Sequence, residues 1–151
     1  MQCPFCNPKR ENVIYETDEI RILVDNYPAN PGHLLVVPRR HVTNIEELTR
    51  DEETAILKGI KIAMRALKEV LNPEGFNIGI NIGEVAGQTV EHVHIHVIPR
   101  FRGDCKFPKG GIRKAVLDIP DENMVNKERW IKNRLSPEKI EKLRRAMNEH
   151  E

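Results

Sequence analysis

Three histidines stand at alternate positions, His92, His94 and His96, in the string His-Val-His-Ile-His-Val-Ile-Pro. On an extended strand a spacing of two carries all three side chains to one face, ~7 Å between successive Cα atoms, and turns Val93, Ile95 and Val97 toward a core. A row of imidazoles adds little to stability, but it titrates near neutral pH and offers chemistry. Three chemistries fit: ligands of a zinc ion with one open position, a general acid–base relay, or a nucleophile oriented by its neighbours. Spacing alone does not choose among them. Just upstream, Gly87-Gln88-Thr89-Val90 supplies backbone N–H groups, an amide and a hydroxyl. Such donors suit an anionic phosphate better than a bare metal–water site.

Cys3-Pro-Phe-Cys6 is a second constellation. By itself the spacing fits a redox pair, half of a metal site, or chance. A redox pair normally opens a helix in a βαβ context, which is absent here. Three cysteines in 151 residues do not make a disulfide framework. Lys and Arg total 24 against 23 acids, a net charge of +1. That balance argues against a nucleic-acid partner and leaves any nucleotide to a local pocket. No apolar run reaches the ~20 residues of a membrane helix, and the N-terminus lacks a signal-peptide core. The expectation is a cytoplasmic protein with no membrane association.

The elements that must position these groups are legible in part. Ile20 to Val24 and Leu34 to Val37, closed by Pro38, read as strands, with a Pro/Gly turn from Tyr27 to Gly32 between them. Thr49 and Glu52 form a capping box. Ile56, Ile60, Ala63, Met64, Leu67 and Leu71 then recur at helical spacing until Asn72-Pro73-Glu74-Gly75. Phe76 to Gly83 and Val93 to Pro99 read as an antiparallel pair of strands, with Asn77 and Asn81 sharing a face. Phe101 to Asn133 reads as irregular. Ser136-Pro137 opens a final helix to about Asn148, whose Ile140, Leu143 and Met147 form an apolar face for docking. The sum is a single α+β domain over residues 1–151: a mostly antiparallel sheet, one long central helix and a C-terminal helix.

His92-Val-His94-Ile-His96-Val-Ile resembles the signature of the histidine triad (HIT) family, in which histidines alternate with apolar residues. Asp25, the stretch Pro31-Gly-His33-Leu-Leu35-Val-Val-Pro38, and Asn81 ahead of Gly87-Gln88-Thr89 match at family spacing, so the resemblance spans roughly Cys3 to Arg100. It implies an α+β fold, a homodimer, and hydrolysis or transfer of adenine nucleotides at the α-phosphate. His94 would attack the phosphorus and form a covalent nucleotidyl-histidine, with its second ring nitrogen held by a main-chain carbonyl. His96 would assist the leaving group, and His33 would complete the hydrogen-bonded chain behind the triad. Asn81, Gln88 and Thr89 would bind phosphate, Asp25 the ribose, and Phe5, Leu23 and Leu35 the purine. One branch of the family joins Cys3 and Cys6 to His41 and His92 in a structural zinc site, which would make His92 a clamp rather than a base. No catalytic metal is then expected.

Residues 101–151 extend past the family pattern. Tails of this length are commoner in branches acting on dinucleoside polyphosphates, and Arg100 and Arg113 are the basic residues best suited to phosphate. Three rivals stand beside this reading: an adenosine phosphoramidase, a nucleotide-binding regulator with incidental turnover, and a zinc hydrolase whose ligands are the triad itself.

Overall fold

The computed structural model describes residues 3–121 and 124–149. The chain gathers into two compact units that divide between Asp104 and Cys105.

The first unit is built on an antiparallel sheet of β1 (Val13–Glu16), β2 (Ile20–Val24), β3 (Leu34–Pro38), β4 (Gly75–Gly79) and β5 (Ile95–Arg100), in the order β1-β2-β3-β5-β4. One face of it carries the 22-residue helix α1 (Arg50–Leu71). Alternation along the strands sends Ile20, Ile22, Leu34, Val36, Ile95 and Val97 into that helix-covered core, with Val42 and Val93 beside them. The opposite residues Leu23, Leu35 and Val37 form a smaller cluster with Phe5.

Helix α1 starts where the sequence places it. The Glu52 N–H donates to Thr49 Oγ1 at 3.1 Å, and the Thr49 N–H donates to Glu52 Oε1 at 2.9 Å. Glu52 is buried and also receives Arg40 through Nη2 at 2.8 Å. At the far end Asn72 adopts the left-handed conformation, φ 52°, which closes the helix. Halfway along, Gly59 lets the helix lie directly on the sheet: a Cβ there would come within 2.6 Å of Ile20 Cδ1 and 3.1 Å of Val36 Cγ1.

Several expectations are corrected. β1 has no sequence signal because Ile14, Tyr15 and Glu16 are all exposed at the sheet edge and its pairing shifts register between Val13 and Tyr15. The strand from Phe76 ends at Gly79 rather than Gly83, because its partner is used up: Gly79 pairs with His96, and the Val93 N–H donates to Val42 O instead. For the same reason the triad strand is regular only from Ile95.

In the second unit the supposedly irregular stretch contains α2 (Ile112–Leu117) and α3 (Lys127–Asn133) before α4 (Pro137–Glu149). Both are under two turns, too short for periodicity to register. Asn126 caps α3 by accepting from the Glu128 N–H at 3.0 Å. No residue of α4 is buried, so Ile140, Leu143 and Met147 leave their apolar face exposed.

Gly59→Val should lower stability by about 2 kcal/mol, since the added methyls must displace Ile20 and Val36 in a packed core. Urea denaturation measures this; an unchanged midpoint would mean that α1 does not rest on the sheet at Gly59.

Candidate active site

The site lies on the sheet face opposite α1, where strand register places Leu23, Leu35 and His96 in one cross-strand row ending at Gly79. A cleft of about 480 Å³ opens over it, within the usual range for a small-molecule site. Phe5, Leu23, Asp25, His33, Leu35, Thr89, His94 and His96 line this cleft. Eight residues chosen from sequence thus meet in one place. Asn81 and Gln88 do not line it. The Gln88 amide accepts from the Gly83 N–H at 2.8 Å and donates to Val90 O at 3.0 Å and Thr43 O at 3.4 Å.

Hydrogen bonds to main-chain groups fix the protons of the histidines, because a carbonyl only accepts and an amide N–H only donates. His94 Nδ1 lies 2.8 Å from His92 O, so Nδ1 carries the proton and Nε2 keeps a bare lone pair. His92 Nε2 lies 2.8 Å from Pro38 O, so its proton is on Nε2 and Nδ1 is bare. The Ala29 N–H donates to His33 Nδ1 at 2.9 Å, which leaves the proton of His33 on Nε2. That proton faces His96 Nδ1 at 2.9 Å, so neutral His96 carries its own proton on Nε2. Phe5 packs against the buried His94 with ring centroids 5.0 Å apart.

Burial depresses the pKa of His33, and Asp25, whose Oδ2 is 3.3 Å from His33 Nε2, partly opposes it. Burial also depresses His96, reinforced by the neighbouring His94 and His33. Both rings are therefore neutral at pH 7.

The bare Nδ1 of His92 points away from the cleft and is one of a group of four donors. It lies 3.4 Å from Cys3 Sγ, 3.5 Å from Cys6 Sγ and 3.2 Å from His41 Nδ1, and Cys6 Sγ lies 3.3 Å from His41 Nδ1. Tetrahedral zinc with ~2.3 Å bonds to sulfur and ~2.0–2.1 Å bonds to nitrogen has S···N edges of about 3.5 Å and an N···N edge of about 3.3 Å. The donor set fits such an ion, and all four atoms lie within 4.8 Å of one another. The triad histidines do not converge: His92 turns to the cysteines, while His94 and His96 face the cleft.

Residues 7–103 match the family model described as the HIT domain. The chain belongs to the HIT family. An uncharacterized HIT-like protein of Methanocaldococcus jannaschii is 43% identical over 107 residues, 70% of this chain and 82% of that one. The AP-4-A phosphorylase of Mycobacterium tuberculosis is 48% identical over 82 residues, 54% of this chain but only 42% of the relative. The asymmetrical bis(5'-nucleosyl)-tetraphosphatase of Schizosaccharomyces pombe is 38% identical over 119 residues, 79% and 64% of the two chains. Among solved structures, a Zn-bound histidine triad family protein from Mycobacterium smegmatis aligns with 78% of this chain and 95% of its own, at TM-score 0.62 and 30% identity.

Sequence reasoning missed several groups. The Pro38 carbonyl sets the tautomer of His92 and the Ala29 N–H that of His33, and main-chain groups leave no trace in residue type; only the carbonyl on His94 was expected, from the family resemblance. Lys9, Asn12, Asn26 and Tyr27 also line the cleft, from the segments that flank the paired strands β1 and β2. Arg100, expected near phosphate, instead grips Asp104 through Nε at 2.8 Å and Nη2 at 2.7 Å and holds that carboxyl well below its usual range. Arg113 stacks over Trp130 within the second unit.

With folded pKa values below the ordinary 6.5, His33 and His96 bind fewer protons folded than unfolded as pH falls past 6.5. Stability should be level from pH 8 to 7 and then decline on acidification, each histidine contributing a slope of up to about 1.4 kcal/mol per pH unit. Denaturant titrations between pH 5 and 8 measure this, and His33→Asn should flatten the curve. A stability that rises below pH 6.5 would contradict the assignment.

Proposed function

We propose that this HIT protein hydrolyses or transfers adenine nucleotides at the α-phosphate, with dinucleoside polyphosphates as its substrates. One observation carries the reading: His94 Nδ1 donates to His92 O at 2.8 Å, which leaves Nε2 as the ring nitrogen for the cleft that Phe5, Leu23 and Leu35 also line. Nε2 attacks the α-phosphorus, the bond to the bridging oxygen breaks, and a nucleotidyl-histidine forms. His96 Nε2–H donates to the departing oxygen, and a phosphate leaving group departs as an anion that needs only that hydrogen bond. Water or inorganic phosphate then takes the nucleotidyl group and frees His94. Phe5, Leu23 and Leu35 hold the purine, Asp25 the ribose, and Thr89 a phosphate oxygen, with Asn81 and Gln88 as further phosphate ligands. The names of the M. tuberculosis and S. pombe relatives support this substrate class.

The reading includes a structural zinc on Cys3, Cys6, His41 and His92. Bound there, zinc would pin His92 and supply rigidity, with no catalytic metal in the cleft. It further includes a cytoplasmic homodimer joined through the outer edge of β4, beside which Ile78 and Ile82 are exposed. Among the described residues no helix is long and apolar enough to cross a membrane. A phosphoramidate substrate is the second reading, since the same His94 would attack it, but an amine leaving group demands a whole proton.

Phosphorus NMR on diadenosine tetraphosphate should show AMP, or ADP when phosphate is the acceptor, formed by the wild type and about 10³-fold slower or not at all by His94→Gly. Undiminished turnover by the variant would remove His94 from the mechanism. Elemental analysis should find one zinc per chain, and Cys3→Ala/Cys6→Ala should lose it with a fall in Tm of about 10 °C. Full activity and unchanged Tm without metal would refute the structural role.

A further inference from the structure

The turn that carries His33 is tied down from outside the cleft. The Ala29 N–H donates to His33 Nδ1 at 2.9 Å and the His33 N–H donates to Asn30 O at 3.2 Å, so the turn closes on its own histidine. The Asn30 side chain fastens this turn to the body of the sheet. Its Nδ2 donates to Pro99 O at 3.0 Å and to Asp104 Oδ2 at 2.7 Å. A carbonyl and an ionised carboxylate only accept, so the orientation of that amide is fixed. Asp104 takes three further bonds, from Arg100 Nε at 2.8 Å, Arg100 Nη2 at 2.7 Å and the Phe101 N–H at 2.9 Å. Arg100 also reaches Asn77 Oδ1 on β4. Asn77 and Arg100 thus have a common use behind the site.

Resting on the function proposed above, we infer that Asn30 and Asp104 are positioning residues of the active site: they hold the Ala29 N–H against His33 Nδ1, so that His33 donates from Nε2 and His96 presents its own proton to the departing oxygen in one direction. Neither residue lines the cleft, so both act only through the turn. The His33 ring is bonded at both nitrogens, to Ala29 at Nδ1 and to His96 at Nε2. Freeing the Asn30 side chain lets Ala29 move off and leaves Nδ1 an open lone pair. A second proton can then bind there. Asp25, with Oδ2 3.3 Å from Nε2, and His96 are the titratable groups that face this ring. The Asp25 charge favours the second proton, whereas burial and the Ala29 N–H oppose it. A loosened turn therefore has two consequences. His33 gains imidazolium character, and its ring, held at one end, no longer fixes the ring of His96.

The test is nitrogen NMR of the His33 imidazole during an acid titration of the full chain, in the wild type, Asn30→Ala, Asp104→Ala and Arg102→Ala. Arg102 serves as the control, because it lies on the same loop as Asp104 but sends its side chain to Glu74. The wild type should show an unprotonated Nδ1. Asn30→Ala should carry about tenfold more imidazolium at a given pH, the weight of one hydrogen bond. Asp104→Ala should move the same way, and Arg102→Ala should match the wild type. With diadenosine tetraphosphate, kcat of both clamp variants should fall about tenfold at unchanged KM. Wild-type His33 resonances in Asn30→Ala, an equal shift in Arg102→Ala, or shifted resonances with an undiminished kcat would each overturn the inference and leave the catalytic proposal intact. Shifted resonances in a protein whose wild type turns nothing over would uphold the clamp on His33 and refute the enzyme. Should Asp104→Ala fail to fold, Asn30→Ala decides alone, since it leaves the Arg100–Asp104 pair in place.

Discussion

One main-chain carbonyl governs the chemistry of this protein. His92 O accepts the Nδ1–H of His94 at 2.8 Å, and a neutral imidazole has only one proton to give. The bond therefore leaves Nε2 of His94 bare and aims the ring. His92 is itself gripped on both sides, by Pro38 O on Nε2 and by the Cys3, Cys6 and His41 donors around Nδ1. A side chain buried to that degree transmits little motion to its own carbonyl. In the proposed mechanism the cysteine–histidine cluster acts only through the backbone of His92.

The sheet is arranged to leave that carbonyl available. Were β5 regular from His92, the carbonyl would be spent on a ladder bond to a neighbouring strand. Instead the ladder begins at Ile95, the Val93 N–H is taken by Val42 O, and the His92 N–H by Val90 O. Meanwhile Val93, Ile95 and Val97 anchor the segment in the core under α1. The same alternation that buries these three valine and isoleucine side chains delivers His94 and His96 to the cleft. Gly59 matters at one remove, because it sets how closely α1 presses the sheet that carries the site.

Much of this was legible in the sequence, for physical reasons that can be named. Alternation of histidine with apolar residues encodes a strand with one wet and one dry face, and Thr49 with Glu52 encodes a helix start, because in both cases the side chains themselves make the contacts. Leu23, Leu35 and His96 were each identified singly, but their meeting in one row depends on register, which no local pattern states. Gln88 was read by type as a phosphate ligand, and type says nothing of the bonds its amide makes to Gly83, Val90 and Thr43. Arg100 was read by charge, whereas Asp104, four residues on, claims it. β1, α2 and α3 left no pattern: an exposed edge strand has no buried alternation, and helices under two turns do not complete a second period. The tautomer of His94 was expected only through the family resemblance, and those of His92 and His33 were beyond reach, since the main-chain groups that impose them are common to every residue.

The nucleophilic role of His94 is tested most directly by trapping the intermediate. Protein mixed with diadenosine tetraphosphate and quenched within one turnover under alkaline conditions, which preserve a phosphorus–nitrogen bond, would be digested and examined by mass spectrometry. One adenylyl group on the peptide containing His94, lost on further incubation, is the expected result. Product formation with no modified peptide, or with the group on His96 or His33, would contradict the account.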